Sequence, residues 1–344
     1  MKLNNLYMGL ALSLMITACE NQEQEFPDFD YQTVYFANQL AMRTVELGED
    51  DMVDNSMDNL HKIRINAVMG GAYTNTKTRT IDITVDNSLC DNLFFKGTST
   101  AVLPMPANYY TLAANKIEIT PGNIQGGVEV QLTDAFFDDK KALASNYVIP
   151  LVMTSVQGVD SILRGAANVD NPDRLLTGDW SEQPKDYVLY GVKYVNPWHG
   201  VYLRRGTDVK TMPDATVQTV SRHSQYVEND EVVNITTNSL TEAALSLAAK
   251  DASGTNVNYN VRLKFDGNGA CILESSSANF IIAGTGKFVS KGEKNSLGGK
   301  DRNALYLDYT VDFVNLNMKY ATKDTLVLRE RGVYGAGSFE IDKQ

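Results

Sequence analysis

Short runs in which apolar and polar residues alternate dominate the first half of the chain. The clearest are His61-Lys62-Ile63-Arg64-Ile65-Asn66-Ala67-Val68 and Arg79-Thr80-Ile81-Asp82-Ile83-Thr84-Val85. A period of two places one set of side chains on a core and the other in water, so each run predicts a half-buried strand. Gln32–Phe36, Arg43–Leu47, Tyr109–Leu112, Lys116–Ile119, Gly127–Leu132 and Tyr147–Met153 extend the series, with Pro121-Gly122-Asn123 and Gly126-Gly127 as turn chemistry between them. Pro150 cannot donate to a ladder, which predicts an edge or a bulge for its strand. Asp86 to Phe95 has room for one short helix capped by Asp86 or Ser88. About seven short strands with frequent turns predict an immunoglobulin-like sandwich over residues 28–175.

A second, differently paced set of strands follows the stretch Asn196-Pro197-Trp198-His199-Gly200-Val201-Tyr202-Leu203-Arg204-Arg205-Gly206. Asn-Pro breaks the chain, because proline pushes its predecessor out of the helical region. Residues 176–195 are expected to be a linker and a leading strand, and residues 196–344 a second β domain. Strand candidates there run from 215–226 through 231–236, 242–249, 258–265, 271–274, 280–287 and 304–313 to 325–328. Glu242–Lys250 suits a strand or a short helix equally. Asp266-Gly267-Asn268-Gly269 is a hairpin signal, since these residues adopt positive φ readily. Eight strands joined by hairpins predict a closed, lipocalin-like antiparallel β-barrel, with a second sandwich as the alternative. The fold class expected is therefore all-β.

Composition fixes the class of partner more than the chemistry. With 344 residues, two ordinary domains can each bury a core. A formal net charge of -11 excludes a general phosphate-binding role, so no nucleic-acid partner is expected. The N-terminus sets a compartment. Lys2 precedes an apolar run from Leu6 to Ile16, too short to span a bilayer and suited to a signal peptide over residues 1–18. It ends in Ile16-Thr17-Ala18-Cys19, a lipobox-like pattern that makes Cys19 the expected site of acylation. Glu20, Glu23 and Glu25 follow in a tether over residues 19–27. Cys90 and Cys271 fall in different domains and are expected as buried free thiols.

Catalytic signatures are missing from the sequence. His61, His199 and His223 have no metal-ligand spacing, and no nucleophile elbow, Walker loop or dinucleotide fingerprint is present. The acidic loop from Glu49 to Asn59 lacks the spacing and glycine of an EF-hand, so a solvated loop is expected and no metal. No cofactor is implied. The candidate ligand-binding residues are aromatic and basic: Trp180 in a polar segment, and Trp198, Tyr202 and Arg204 at the seam. Sugars stack apolar faces on such rings and pair their hydroxyls with polar side chains. Against this, Trp198 and Tyr202 equally suit a barrel core closed over by an arginine.

The segments Val34-Tyr35-Phe36, Ile81-Asp82-Ile83-Thr84-Val85-Asp86, Pro106-Ala107-Asn108-Tyr109-Tyr110, Ile117-Glu118-Ile119-Thr120-Pro121-Gly122 and Tyr147-Val148-Ile149-Pro150-Leu151 carry a family resemblance. Together with the lipobox, the chain resembles Bacteroidetes surface lipoproteins that have an N-terminal domain of unknown function and accompany Sus-like glycan importers. Some relatives of that family continue into a family-18 glycosidase. The Asp-x-x-Asp-x-Asp-x-Glu run of those enzymes is absent here; Asp308 and Asp312 have no glutamate after them. The resemblance implies a non-catalytic glycan-binding accessory protein on the outer membrane, anchored by lipid and facing outward. A glycan and Sus-like transporter components are the implied partners. A structural or adhesive lipoprotein, and then a glycoside hydrolase, are the alternatives.

Overall fold

A computed structural model describes residues 28–275, 277–333 and 336–344. The chain is all-β: two curled sheets face one another in an immunoglobulin-like sandwich, and a closed eight-stranded antiparallel barrel of lipocalin-like type follows. One sandwich sheet runs in the order Ser161–Ile162, Thr33–Tyr35, Lys62–Gly70, Gln125–Leu132, Tyr110–Leu112. The other runs Ala336–Ser338, Ala41–Glu46, Tyr187–Val195, Tyr147–Gln157, Arg79–Val85, Lys116–Ile119. The predicted alternation holds in Lys62–Gly70, where Ile63, Ile65, Ala67 and Met69 enter the core and Arg64 and Asn66 face water.

Tyr147–Gln157 is apolar without alternation because it is covered on both faces. Tyr147, Ile149, Leu151 and Met153 enter the main core, while Val148 and Val152 pack on Leu89, Leu93, Val102 and Leu189 in a smaller one. The strand is central, so Pro150 is not at an edge. It sits where one neighbour ends and another begins: Leu103–Pro104 pairs with Tyr147 and Val148, and the Arg79–Val85 ladder starts at Leu151. A missing donor costs little in such a gap. The bulge falls later, between Met153 and Ser155.

Tyr187–Val195 belongs to the sandwich and does not link the domains freely. It lies antiparallel to Tyr147–Gln157 and parallel to Ala41–Glu46. The C-terminus also returns to this domain: Ala336–Ser338 pairs with Ala41–Arg43, and Ile341–Lys343 pairs with Leu93–Phe95. The expected helix near Asp86 is one 3₁₀ turn, Asn87–Cys90, with the Asp86 side chain accepting from the Ser88 N–H.

The barrel runs through Gly200–Thr211, Glu231–Thr237, Glu242–Lys250, Asn256–Phe265, Ala270–Ser275, Ile281–Glu293, Arg302–Phe313 and Met318–Glu330, which closes back on Gly200–Thr211. Val217–Arg222 pairs with the far half of Gly200–Thr211, on the edge that Glu231–Thr237 occupies nearer the seam. Glu242–Lys250 is a strand, with Ala243, Leu245, Leu247 and Ala249 turned inward. Asp266 turns the predicted hairpin: its side chain accepts from the Asn268 and Ala270 N–H groups while Gly269 takes φ +79°.

The two domains meet tightly at Gly48, where φ is +92°. A Cβ there would lie 2.7 Å from Pro197 Cβ, closer than real side chains approach. Gly48→Ala therefore combines a left-handed backbone with an interdomain clash and is expected to cost about 1–3 kcal/mol, read as a lowered midpoint in chemical denaturation. An unchanged midpoint contradicts the close contact.

Candidate functional site

At the seam, one buried asparagine and one buried arginine organise the chain. The Asn196 side-chain oxygen accepts from the Trp198 and His199 N–H groups, and its amide donates to Ser239 O and Glu242 O. Arg331, just past the last barrel strand, spreads its guanidinium over four backbone carbonyls: His199 at 2.8 Å, Glu49 at 3.2 Å, Leu47 at 2.9 Å and Asn196 at 2.8 Å. Leu47 and Glu49 belong to the sandwich, so this cation ties strand ends of both domains. Glu46 approaches the same guanidinium at 3.4 Å. Burial outweighs that attraction and pushes the Glu46 carboxyl up to about 7. Burial, with Arg331 and Lys193 nearby, pulls His199 down to about 4.

Three of the expected ligand-binding residues lie inside the barrel. Trp198 is 8% exposed and stacks on Phe265, with ring centroids 3.7 Å apart and planes 6° from parallel. Tyr202 is fully buried and donates its hydroxyl to Trp198 O at 2.8 Å. Neither ring presents a face to an external molecule, because both fill the end of the barrel nearest the seam. Arg204, three per cent exposed, is adjacent in a different layer. Its Nε bonds Asp324 at 2.9 Å, its Nη1 bonds Glu231 at 3.0 Å and its Nη2 meets the Tyr309 hydroxyl at 3.3 Å. Arg222 joins the network through Asp208 and Asp324, and Thr322 donates to Asp208. The barrel interior is thus an aromatic layer under a layer of paired charges, with Tyr259, Phe313 and Tyr320 beyond them. A buried cation with this many fixed partners holds strands in register and is spent on the protein itself.

Trp180 stands apart from that cluster, on the ribbon in which Trp180–Glu182 pairs with Ala166–Ala167. It is half-buried, and its indole N–H donates to Asp173 O at 2.7 Å. Asp173 in turn meets Lys343 from the C-terminus. Arg174 from the same turn makes paired hydrogen bonds to the buried Asp186. The expected acylation site, Cys19, and its tether lie outside the described residues. Cys90 and Cys271 are buried free thiols. The acidic loop folds on itself: Asp58 receives Arg43 and the Glu46 N–H, and Asn55 and Asn59 hold Gly48. Among the described residues no group of three His, Cys, Asp or Glu side chains is placed to hold a metal.

Openings lie at the junction, on the sandwich flank and in the barrel wall, where one of about 490 Å³ is lined by Glu231, Val233, Ser246, Leu247 and Asn258 among others. One of about 250 Å³ at the junction is lined by Glu49, Asp50, Asp51, Arg302 and Arg331 among others, but Arg331 is already committed to carbonyls. It is also below the size usual for small-molecule sites. Two larger grooves flank the C-terminal segment 336–343 on the sandwich. One, of about 530 Å³, places Phe95 and Phe339 beside Lys96, Thr98, Thr100 and Asn146. The other, of about 440 Å³, places Asn38, Gln39, Arg174, Thr177, Gln183 and Tyr187 across from Ser338 and the same Phe339. The Phe95 and Phe339 rings are 5.3 Å apart and tilted by 58°. Phe339 is thus shared by a pair of grooves rich in amides and hydroxyls, which is the chemistry sought at Trp198 and absent there. The sequence signal is weak: a single Phe, half-buried in the structure, in a glycine-rich terminus.

The seam titrations have opposite signs. Glu46, raised from 4.5 to about 7, makes the folded protein hold the extra proton, so its contribution falls as pH rises from 4.5 to 7. His199, lowered from 6.5 to about 4, makes the unfolded chain hold the extra proton, so its contribution rises between pH 4 and 6.5. The two largely cancel in the wild type. Glu46→Gln is expected to expose a melting temperature that climbs from pH 4.5 to 6.5, and His199→Gln one that falls from pH 4.5 to 7. Parallel profiles for the two variants contradict this assignment. Separately, Trp198→Ala is expected to cost about 3–5 kcal/mol as a core truncation, against under 1.5 kcal/mol for Trp180→Ala. Equal costs in denaturant titration overturn the core placement.

Comparison with known proteins divides the chain in the same region. Residues 197–332 match the family model "Domain of unknown function (DUF5627)", and residues 29–160 match the model of an N-terminal domain. No curated protein matches. A crystal structure of a Bacteroides ovatus protein of unknown function is 58% identical, with a TM-score of 0.87, covering 92% of this chain and 100% of that one. A multidomain Bacteroides ovatus protein including DUF1735 is 11% identical, with a TM-score of 0.40, covering 88% and 97% of the two chains. An auxiliary nutrient binding protein of Bacteroides thetaiotaomicron is 13% identical, with a TM-score of 0.32, covering 83% and 89%. Similarities at the level of the last two define neither fold nor function. The first does decide membership: this chain belongs to the same family as the Bacteroides ovatus protein of unknown function.

Proposed function

We propose that this protein is a non-catalytic, lipid-anchored surface protein that captures a glycan for a Sus-like uptake system, and that the glycan lies in the paired grooves on the sandwich flank. One observation carries the reading. Phe339 stands between two grooves of about 530 and 440 Å³, with Phe95 at one side and amide and hydroxyl side chains lining both. Sugar rings offer an apolar C–H face to such aromatic rings and hydroxyls to such amides. The grooves share a wall, so they suit adjacent residues of an oligosaccharide. The lipobox-like Ile16-Thr17-Ala18-Cys19 supports the anchor, and the family resemblance supports the company of a Sus-like transporter.

The absence of a recognisable catalytic run in the sequence favours capture over cleavage. Lys96 and Arg174 in the groove walls are paired with Glu340 and Asp186, so the amides and hydroxyls of the linings favour a neutral glycan.

Calorimetric titration of residues 20–344 with a panel of neutral and acidic oligosaccharides tests the proposal. One class is expected to bind, with Phe339→Ala weakening it at least fivefold and Trp180→Ala changing it less than twofold. Well-folded protein that binds no member of the panel, or binding indifferent to Phe339→Ala, contradicts the proposed site.

A further inference from the structure

Three exposed aromatic rings gather where the described chain begins. Phe29 is 76% exposed, Tyr31 61% and Tyr73 68%. Their backbones are bound together: the Phe29 N–H donates to Gly71 O at 2.9 Å, and the Tyr73 N–H donates to the Asp28 carboxylate at 2.5 Å. Gly71 packs directly on the Tyr31 carbonyl, leaving no room for a side chain. Ile124, also exposed, accepts from the Met69 N–H and so lies at the same end of the sheet. Single exposed apolar residues are ordinary, whereas three aromatic rings held at one end of a domain mark a contact surface.

The path of the chain says what covers it. Cys19 precedes Asp28 by nine residues, and a chain extends at most about 3.3–3.6 Å per residue. An acyl group on Cys19 therefore holds this end of the sandwich within roughly 30 Å of the lipid. We propose that Phe29, Tyr31 and Tyr73 form a membrane-contacting surface that seats in the headgroup region of the bilayer carrying the anchor. This rests on the lipoprotein reading above. Tyrosine suits that zone because its apolar ring enters the acyl boundary while its hydroxyl stays wet, and the phenylalanine ring adds apolar area that inserts beside it. Acyl chains anchor most firmly when a second contact assists them, and this surface supplies it. Asp28 and Asp30 on the patch, with Glu20, Glu23 and Glu25 before it, disfavour anionic lipid, so the surface selects zwitterionic headgroups.

Spin-label accessibility on the full lipidated protein in phosphatidylcholine vesicles tests this. Cys90 and Cys271 are buried, so a nitroxide attached at Tyr73→Cys, or at Asp214→Cys on the exposed turn of the barrel, reports its own position. The label at 73 is expected to show an oxygen-to-nickel accessibility ratio several-fold above that at 214. Phe29→Ser with Tyr31→Ser is expected to erase the difference, and vesicles containing phosphatidylglycerol to reduce it. Equal, water-like ratios at both positions on acylated protein overturn the patch and leave the anchor standing. An N-terminal peptide whose mass shows Cys19 unmodified overturns the anchor and the patch together. A label at 73 that is immobilised only when a partner protein is added, with no gain in oxygen access, also overturns the membrane assignment.

Discussion

The geometry of the molecule depends on the Arg331 guanidinium. A fixed fork of donors meets carbonyls at Leu47, Glu49, Asn196 and His199, which are the exits and entries of strands from both domains. Carbonyls at strand ends have no ladder partner and are costly to bury alone. One cation satisfies four of them, and burial raises the adjoining Glu46 carboxyl to about 7, so it carries its full charge only above that pH. Gly48 against Pro197 belongs to the same junction, and the C-terminal segment pairs with the sandwich as well.

The barrel held in this way has a filled interior. Its interior holds the Trp198–Phe265 stack and, beyond it, the network of Arg204, Arg222, Asp208 and Asp324. With this part of the interior filled, the proposed recognition site lies on the outside of the molecule. The returning C-terminal segment provides it, since Ser338, Phe339, Glu340 and Ile341 form walls of the two grooves on the sandwich. The same segment thus joins the domains and shapes the proposed site.

Much of the fold is legible in the sequence because it is local. Alternation in Lys62–Gly70 and Arg79–Val85, and the Asp266 hairpin, are decided within a few residues. Other features depend on distant partners. Tyr187–Val195 reads as a leading strand, yet pairs in parallel with residues about 150 positions earlier. Pro150 reads as an edge, because nothing nearby shows that one neighbouring ladder stops where another starts. At the seam the sequence places bulky residues on one strand face but cannot say whether that face is core or surface; Trp198 and Tyr202 turn inward. Arg331 carries no local signal at all. Neither do the grooves, whose walls come from residues 38–40, 95–100, 144–146, 174–187 and 338–341.

Hydrogen exchange of the protein with and without a bound oligosaccharide most directly tests glycan capture on the sandwich flank. The account predicts slowed exchange confined to residues 93–100, 174–187 and 336–343, with the barrel strands unchanged. Slowed exchange in barrel strands such as Gly200–Thr211 or Met318–Glu330, with the flank unaffected, would contradict it.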